Sequence, residues 1–323
     1  MLPMRVQISR VAMAAPPNIQ TADALGPLIG RSGDWIRQRT GVDRRHISAV
    51  SMEQLGAEAA RAAIGDGPPP DLLINASLTP LQLIPDSSVF LLGALGYSGI
   101  PAFSVHATCL SFAVALSQAA ALIHAGLYRR ILIVSAETGS LCRDFEEPES
   151  AALIGDGAGA ALVEATPEGE DSALLAFRMA TWPEGSDYAE LRGLGTRNFP
   201  EAPHTRPADN RFHMRGPRLF RFTAQRFGPF LAELLGPLGL SPADIDLVVP
   251  HQASGPALDA LPAFGFDPAR VVNIIAEYGN CIAASLPMAL AVAQAEGRLR
   301  RGDRVLLLGS GAGLSLAAAL LRW

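Results

Sequence analysis

Three residues far apart in the chain are of types that support nucleophilic catalysis, and each stands where an apolar strand gives way to a helix. Cys109 follows the short stretch Phe103–Val105 and opens a long run of small apolar residues, Cys109–Ala125. A thiol at such a helix mouth meets unpaired N–H groups and the positive end of the helix dipole, which favour the thiolate. The position equally suits a small buried core cysteine. His251 lies in VVPHQAS (248–254), past an apolar strand and ahead of a helix, where an imidazole projects into a crevice. Standing alone it also reads as a capping or satisfied core histidine. Asn280, in YGNCIAAS (278–285), opens a second small-residue helix and by itself would be an ordinary cap. Taken together, a thiol with two neutral hydrogen-bond donors is a set able to form and use a covalent intermediate.

The elements that must position them alternate in type, the pattern of an α/β protein. Strands are expected at Asp71–Asn75, Ala102–Val105, Ile131–Ser135, Ala158–Glu164, Asp246–Val249, Val271–Ile275, Arg304–Leu308 and Leu314–Leu321. Helices are expected at Asp86–Leu95, Cys109–Ala125, Arg218–Leu235, Gly255–Ala263 and Ala283–Glu296, with a polar, Pro- and Arg-rich stretch at Thr196–Arg215. The order repeats. A small-residue helix, a basic turn and ILIVS follow Cys109; a small-residue helix, a basic turn with Gly302 and VLLLG follow Ala283. DLLINAS (71–77) matches DLVVPHQAS (246–254) at nearly the same offset. Two independent pairs sharing one offset argue for an internal duplication, divided as residues 1–167 and 168–323. Both helices are apolar nearly all round, so layers must cover them on each side. Equivalent strand ends then meet at a pseudo-two-fold axis, where sites in open α/β sheets lie.

Composition narrows the function classes. Of 323 residues, 49% are hydrophobic and only 6% aromatic, so the core is aliphatic. The formal charge of −5 is spread along the chain with no Lys/Arg run, which argues against nucleic acid. Cys109, Cys142 and Cys281 form no CxxC pair and no disulfide framework, pointing to a reducing, cytoplasmic setting without a metal site. The N-terminal apolar patch Val11–Ala15 ends at Pro16-Pro17, too short for a signal-peptide core. The run after Cys109 contains Ser117, Gln118 and His124 and reads as a buried helix rather than a membrane span. Two Gly-rich runs, from Gly155 and from Gly309, lack the G-x-G-x-x-G spacing and trailing acid of a dinucleotide loop. Close backbone approach at a strand entry explains them better.

From end to end the chain resembles β-ketoacyl-acyl-carrier-protein synthase III and its relatives in the thiolase superfamily. The likeness rests on SGDWIRQRTGVDRRHI (32–47), HATCLSF (106–112), LIGDGAGAALV (153–163), MRGPRLFRF (214–222), VPHQAS, EYGNCIAASLPMAL (277–290) and GSGAGLSLAAALLRW (309–323). It implies a thiolase-like fold of two duplicated α/β halves, layered α-β-α-β-α, and a homodimer. It implies that Cys109 takes an acyl group from a thioester while His251 and Asn280 hydrogen-bond a malonyl-type extender as CO₂ leaves. The backbone N–H groups of Cys109 and of Ala312, in the Ser310–Gly313 turn, would form the oxyanion hole. No cofactor is implied beyond acyl-CoA or acyl-carrier-protein substrates. Trp35 and Arg39 fall where the family holds the nucleotide and pantetheine end of its donor. Ile84 matches a residue gating the partner's acyl pocket, and Arg218 and Arg221, with Arg226, lie on a helix face suited to an acidic carrier.

The chain also departs from the family. Leu110 and Ser111 follow the nucleophile, the latter where glycine is usual, and His106 and Thr108 replace small residues before it. Pro148 stands where a basic residue can cover the adenine of CoA, with only Arg143 nearby. Ser254 replaces an Asn, Pro256 a docking Arg, and Ala312 the middle glycine of the closing turn. No glutamate occurs in Ala76–Asp86, where head-to-head condensing relatives place a base. The expected activity is decarboxylative Claisen condensation; the alternative is acyl transfer from Cys109 to a hydroxyl or amine without decarboxylation.

Overall fold

A computed structural model describes residues 3–323. In chain order its main elements are β1 (Val6–Ala14), α1 (Gly33–Thr40), α2 (Met52–Ile64), β2 (Leu72–Asn75), α3 (Ser87–Leu95), β3 (Ala102–Ser104), α4 (Ser111–His124), β4 (Arg130–Glu137) and β5 (Gly157–Ala165). These are followed by β6 (Ala173–Thr181), α5 (Gly216–Leu235), β7 (Leu247–Pro250), α6 (Gly255–Asp259), α7 (Ser285–Ala295), β8 (Arg304–Gly311) and β9 (Ser315–Arg322).

The strands make two main sheets with one plan. The first runs β1-β5-β4-β2-β3 and the second β6-β9-β8-β7. In the first, β2 is parallel to β3 and β4, while β4–β5 and β5–β1 are antiparallel. In the second, β7–β8 is parallel, and β8–β9 and β9–β6 are antiparallel. Strands β4 and β8 are eight residues each and begin 174 positions apart, at Arg130 and Arg304.

The strands' alternation builds the layers. Along β4, Ile131 and Ile133 face a core shared with α4 and α7, while Leu132 and Val134 face α2. Along β8, Val305 and Leu307 face the same shared core, and Leu306 and Leu308 face Phe227, Phe230 and Leu231 of α5. Side chains of period two thus fill both faces of each sheet, which is why these strands read as continuous apolar runs. Helices α4 and α7 lie between the sheets, with α2 and α3 covering one outer face and α5 and α6 the other. The result is the α-β-α-β-α stack.

The middle layer depends on small residues. A Cβ on Gly159 would lie 2.7 Å from Pro287, and one on Gly157 2.5 Å from the Met288 sulfur. The first Gly-rich run therefore serves close helix–sheet packing rather than a nucleotide.

Several expected boundaries shift. Helix α4 begins at Ser111, leaving Cys109 in the turn before it. The expected helix 255–263 ends as α-helix at Asp259 and continues as a 3₁₀ turn, Leu261–Phe264. The expected strand Val271–Ile275 contracts to one parallel bridge, Val248 to Val271. Beyond it, side chains take the backbone donors a ladder would have used: Gln252 Oε1 accepts from Ile274 N–H at 2.8 Å, and Asn273 Oδ1 from Ile275 N–H at 3.1 Å. A short helix, Ile275–Tyr278, follows. Among the described residues no helix is long and apolar enough to cross a membrane.

Candidate active site

Cys109 stands on a strained turn. Thr108 before it adopts φ 52°, a left-handed conformation that β-branched residues avoid. The Ser111 hydroxyl holds that turn closed, accepting from Ala107 N–H at 3.0 Å and donating to Thr108 O at 2.7 Å. This gives the departure at Ser111 a structural purpose. Two amides, those of Ala312 and of Cys109 itself, favour negative charge on the sulfur. They are the pair expected for the oxyanion hole.

The thiol does not titrate as its helix-mouth position suggests. Burial, and then the carboxylate of Glu137, push Cys109 up to about 12 against the opposing pull of the two amides. The residue keeps some exposure, but protein surrounds its sulfur, and those surroundings govern the titration. With the first helical residue two positions on, the helix end does not offset desolvation. The resting group is the neutral thiol.

Strand β7 delivers His251 to the same end of the molecule. Its amide bonds Leu308 O at 2.8 Å, and the loop is held by Gln252, which is buried and donates to Pro250 O and Val272 O at 2.8 and 3.2 Å. The imidazole is 4% exposed, and Nδ1 is buried with no partner among the described residues. Burial lowers its pKa to about 4, so it is neutral at pH 7. The second Gly-rich run explains how the segments approach: a Cβ on Gly309 would fall 2.7 Å from His251 Cβ, and one on Gly311 2.6 Å from Thr108 Oγ1. Strand β8 thus passes between the Cys and His segments where only glycine fits.

Asn280 is oriented by its own backbone. Oδ1 accepts from Ile282 N–H at 2.9 Å, which fixes the amide's direction, and Nδ2 approaches Ala253 O at 3.3 Å, two residues past His251. One Nδ2 proton stays available to a substrate. Ile282, like Thr108, has positive φ, 49°.

A cavity of about 780 Å³, within the size range of small-molecule sites, is lined by neighbours of this centre, Ala253 and Ser310, and not by Cys109, His251 or Asn280 themselves. Its lining also includes Arg39, Glu149, Met214 and Arg221. A recess of about 80 Å³ beside His251 is walled by Phe220, Phe227 and Phe264.

Two family models match the chain: 3-oxoacyl-[acyl-carrier-protein (ACP)] synthase III over residues 103–183, and the C-terminal part of the same enzyme over residues 235–323. The β-ketoacyl-[acyl-carrier-protein] synthase III of Solibacter usitatus is 32% identical, covering 99% of each chain. That of Rhizobium johnstonii is 34% identical over 96% of this chain and 97% of its own. The crystal structure of 3-oxoacyl-(acyl carrier protein) synthase III from Pseudomonas aeruginosa PAO1 superposes with TM-score 0.89 at 31% identity, covering 99% of this chain and 98% of that one. The chain belongs to the β-ketoacyl-acyl-carrier-protein synthase III family.

It is therefore a ketosynthase-type acyltransferase of thiolase fold. The remaining residues singled out in the sequence do not all gather at the centre. Arg39 lines the cavity, and Arg221 stands exposed on its rim. Trp35, one turn from Arg39, instead packs beside the Leu25–Ile36 cluster with the Arg31 guanidinium 5.2 Å from its ring. Ile84 is 86% exposed and lines neither cavity. Arg218 is exposed, whereas Arg226 pairs with Glu184 at 3.3 Å and stacks on Phe222, so it braces the helix.

Sequence reasoning passed over Glu137. It ends β4 fully buried, accepting from Leu78 N–H at 2.6 Å and from Thr79 N–H and Oγ1–H at 3.2 and 2.8 Å. The Ala283 amide, three residues past Asn280, also contributes. Burial outweighs these donors and raises its carboxyl to about 7. An acid closing the apolar run ILIVSAE was its only signal.

Proposed function

We propose that the enzyme carries an acyl group on Cys109 and condenses it with a decarboxylating malonyl-type thioester. The observation that carries this reading is the convergence of Cys109 with the Ala312 turn, where Thr108 Oγ1 donates to Ala312 O at 3.4 Å and the Ala312 and Cys109 amides favour negative charge on the sulfur. The thiol attacks the donor carbonyl, whose oxygen takes the negative charge into those amides. The carbonyl re-forms, the donor thiolate leaves, and it takes up the proton the thiol gave up. The acyl-enzyme then receives the extender. Its bond to the carboxylate breaks, CO₂ departs, and the electron pair becomes an enolate. His251 and Asn280 Nδ2 donate hydrogen bonds to that oxygen, a task that suits the neutral imidazole and the oriented carboxamide. The enolate carbon attacks the acyl carbonyl, the Cys109–acyl bond breaks to release the β-keto product, and the Cys109 thiolate left behind takes a proton from solvent to restore the thiol.

Acyl-CoA or acyl carrier protein supplies the acyl group, and no resident cofactor takes part. Arg39 meets the pantetheine end of the donor, and Arg218 and Arg221 an acidic carrier. The working unit is a homodimer: β3 is a sheet edge with Phe103 40% exposed, flanked by exposed Leu83, Ile84 and Val89. An apolar strand edge of this kind is a pairing surface, and pairing it would bring Ile84 to the other subunit's acyl pocket. Three free cysteines favour the cytoplasm.

The test pairs two readouts on purified protein: intact mass after incubation with acyl thioesters, and CO₂ release from malonyl thioester. Acylation of Cys109 followed by CO₂ release is expected. Acylation with transfer to an alcohol and no CO₂ would replace condensation with simple acyl transfer.

A further inference from the structure

The cavity wall carries a charge arrangement that bears on the donor. Arg39, which the family resemblance places at the nucleotide and pantetheine end of the donor, is already engaged. Its Nε and Nη2 both donate to Glu149 Oε1, at 3.0 and 2.6 Å, although 110 residues separate the two in sequence. Both line the cavity. Glu149 belongs to an acidic segment that also holds Asp144, Glu146 and Glu147, and Glu147 is anchored to the cavity wall by accepting from Met214 N–H at 3.3 Å. The arginines of α5, the helix that begins at Gly216 beside Glu149, differ. Arg218 and Arg221 on α5 are exposed and, among the described residues, have no acidic partner within 4 Å.

Thioester donors share the pantetheine arm and differ in what lies beyond it. Coenzyme A brings a 3′-phosphorylated adenosine diphosphate with several negative charges, which must rest at the cavity mouth. A carrier protein brings one phosphodiester and its own acidic surface, which can stay outside on the α5 rim. Resting on the reading of this cavity as the thioester channel, we infer that Glu149 is a specificity-determining residue that disfavours CoA thioesters in favour of carrier-borne acyl groups. Its carboxylate neutralises Arg39 and repels the nucleotide phosphates, and a cation already held in two hydrogen bonds is not free for them. The free arginines meanwhile attract an acidic carrier.

The test compares one acyl group presented on CoA, on uncharged pantetheine and on a carrier protein, reading kcat/KM for Cys109 acylation. Wild-type protein should acylate faster from the carrier than from CoA. In Glu149→Gln the ratio of acyl-CoA to acyl-pantetheine should rise about tenfold, and in Arg39→Gln, which leaves the carboxylate alone in the mouth, it should fall. Both shifts should shrink at high ionic strength, a response that a general loosening of the mouth would not produce. A ratio unchanged in Glu149→Gln overturns the inference, as does wild-type preference for acyl-CoA. Absence of acylation from all three donors would be a different failure, removing the acyl-enzyme reading and this inference with it.

Discussion

The two halves of the molecule place a left-handed, β-branched residue at the same point, 174 positions apart, and then use it differently. Thr108 has φ 52° and Ile282 φ 49°. Each presses on a glycine from the opposite half: Thr108 on Gly311, Ile282 on Gly139. In the first half the next residue is the thiol. In the second the equivalent residue is Ala283, and Asn280, the proposed hydrogen-bond donor, stands on the near side of the kink. The strand ends diverge as well, with buried Glu137 in one half answering to Gly311 in the other. One backbone device, used twice, stands beside the proposed nucleophile in one half and the proposed hydrogen-bond donor in the other.

The largest effect should come from exchanging the kinks' cargo. Cys109→Ala should abolish the covalent adduct in intact-mass measurements, and Ala283→Cys, fully enclosed at the equivalent position, should not restore it. Appearance of an adduct at position 283 would show the halves to be functionally interchangeable. Next, Asn280→Ala and His251→Ala should each lower condensation by roughly 10²–10³ while acylation of Cys109 persists; loss of acylation in Asn280→Ala would contradict its assignment to the second step.

The glycines under the kinks should respond unequally. A Cβ at Gly311 meets the short Thr108 side chain at 2.6 Å and Leu110 at 3.1 Å, whereas at Gly139 it meets the flexible tip of Ile282 at 2.6 Å and an Ile154 methyl at 3.0 Å. Gly311→Ala should cost about 1–3 kcal/mol in denaturant titrations and Gly139→Ala less. Equal costs would mean that the two contacts are equally rigid.

The smallest effect concerns Glu137, whose carboxyl is raised from 4.5 to about 7 in the fold. Between those values the folded protein keeps a proton that the unfolded chain has lost, so this group makes stability fall as pH rises through the window. Glu137→Gln should remove that slope and, by deleting a charge that lifts the thiol, let iodoacetamide alkylate Cys109 at lower pH. An unchanged alkylation profile would disconnect the two groups.

Much of this was readable beforehand. Buried central strands such as ILIV and VLLL announce themselves because both faces are apolar, and the Cys, His and Asn segments keep their order around them. Strands β1 and β6 were missed because each is a sheet edge that mixes polar residues with apolar ones: Gln7, Ser9 and Arg10 in β1, Arg178 and Thr181 in β6. The thiol's titration was misjudged because helix position is local, whereas desolvation and Glu137 are set by tertiary packing. Glu149 carries no motif; its meaning arises only when folding brings it against Arg39.

The tight seating of Pro287 and Met288 on Gly157 and Gly159 has a consequence for how the protein comes apart. The second half's central helix rests on the first half's sheet, and Phe112, Leu116, Leu286 and Leu290 share one apolar interior. Despite the gene-duplication pattern, a cut between the repeats would bare the inner face of both fragments. Neither should persist folded alone, and the chain should melt in one step.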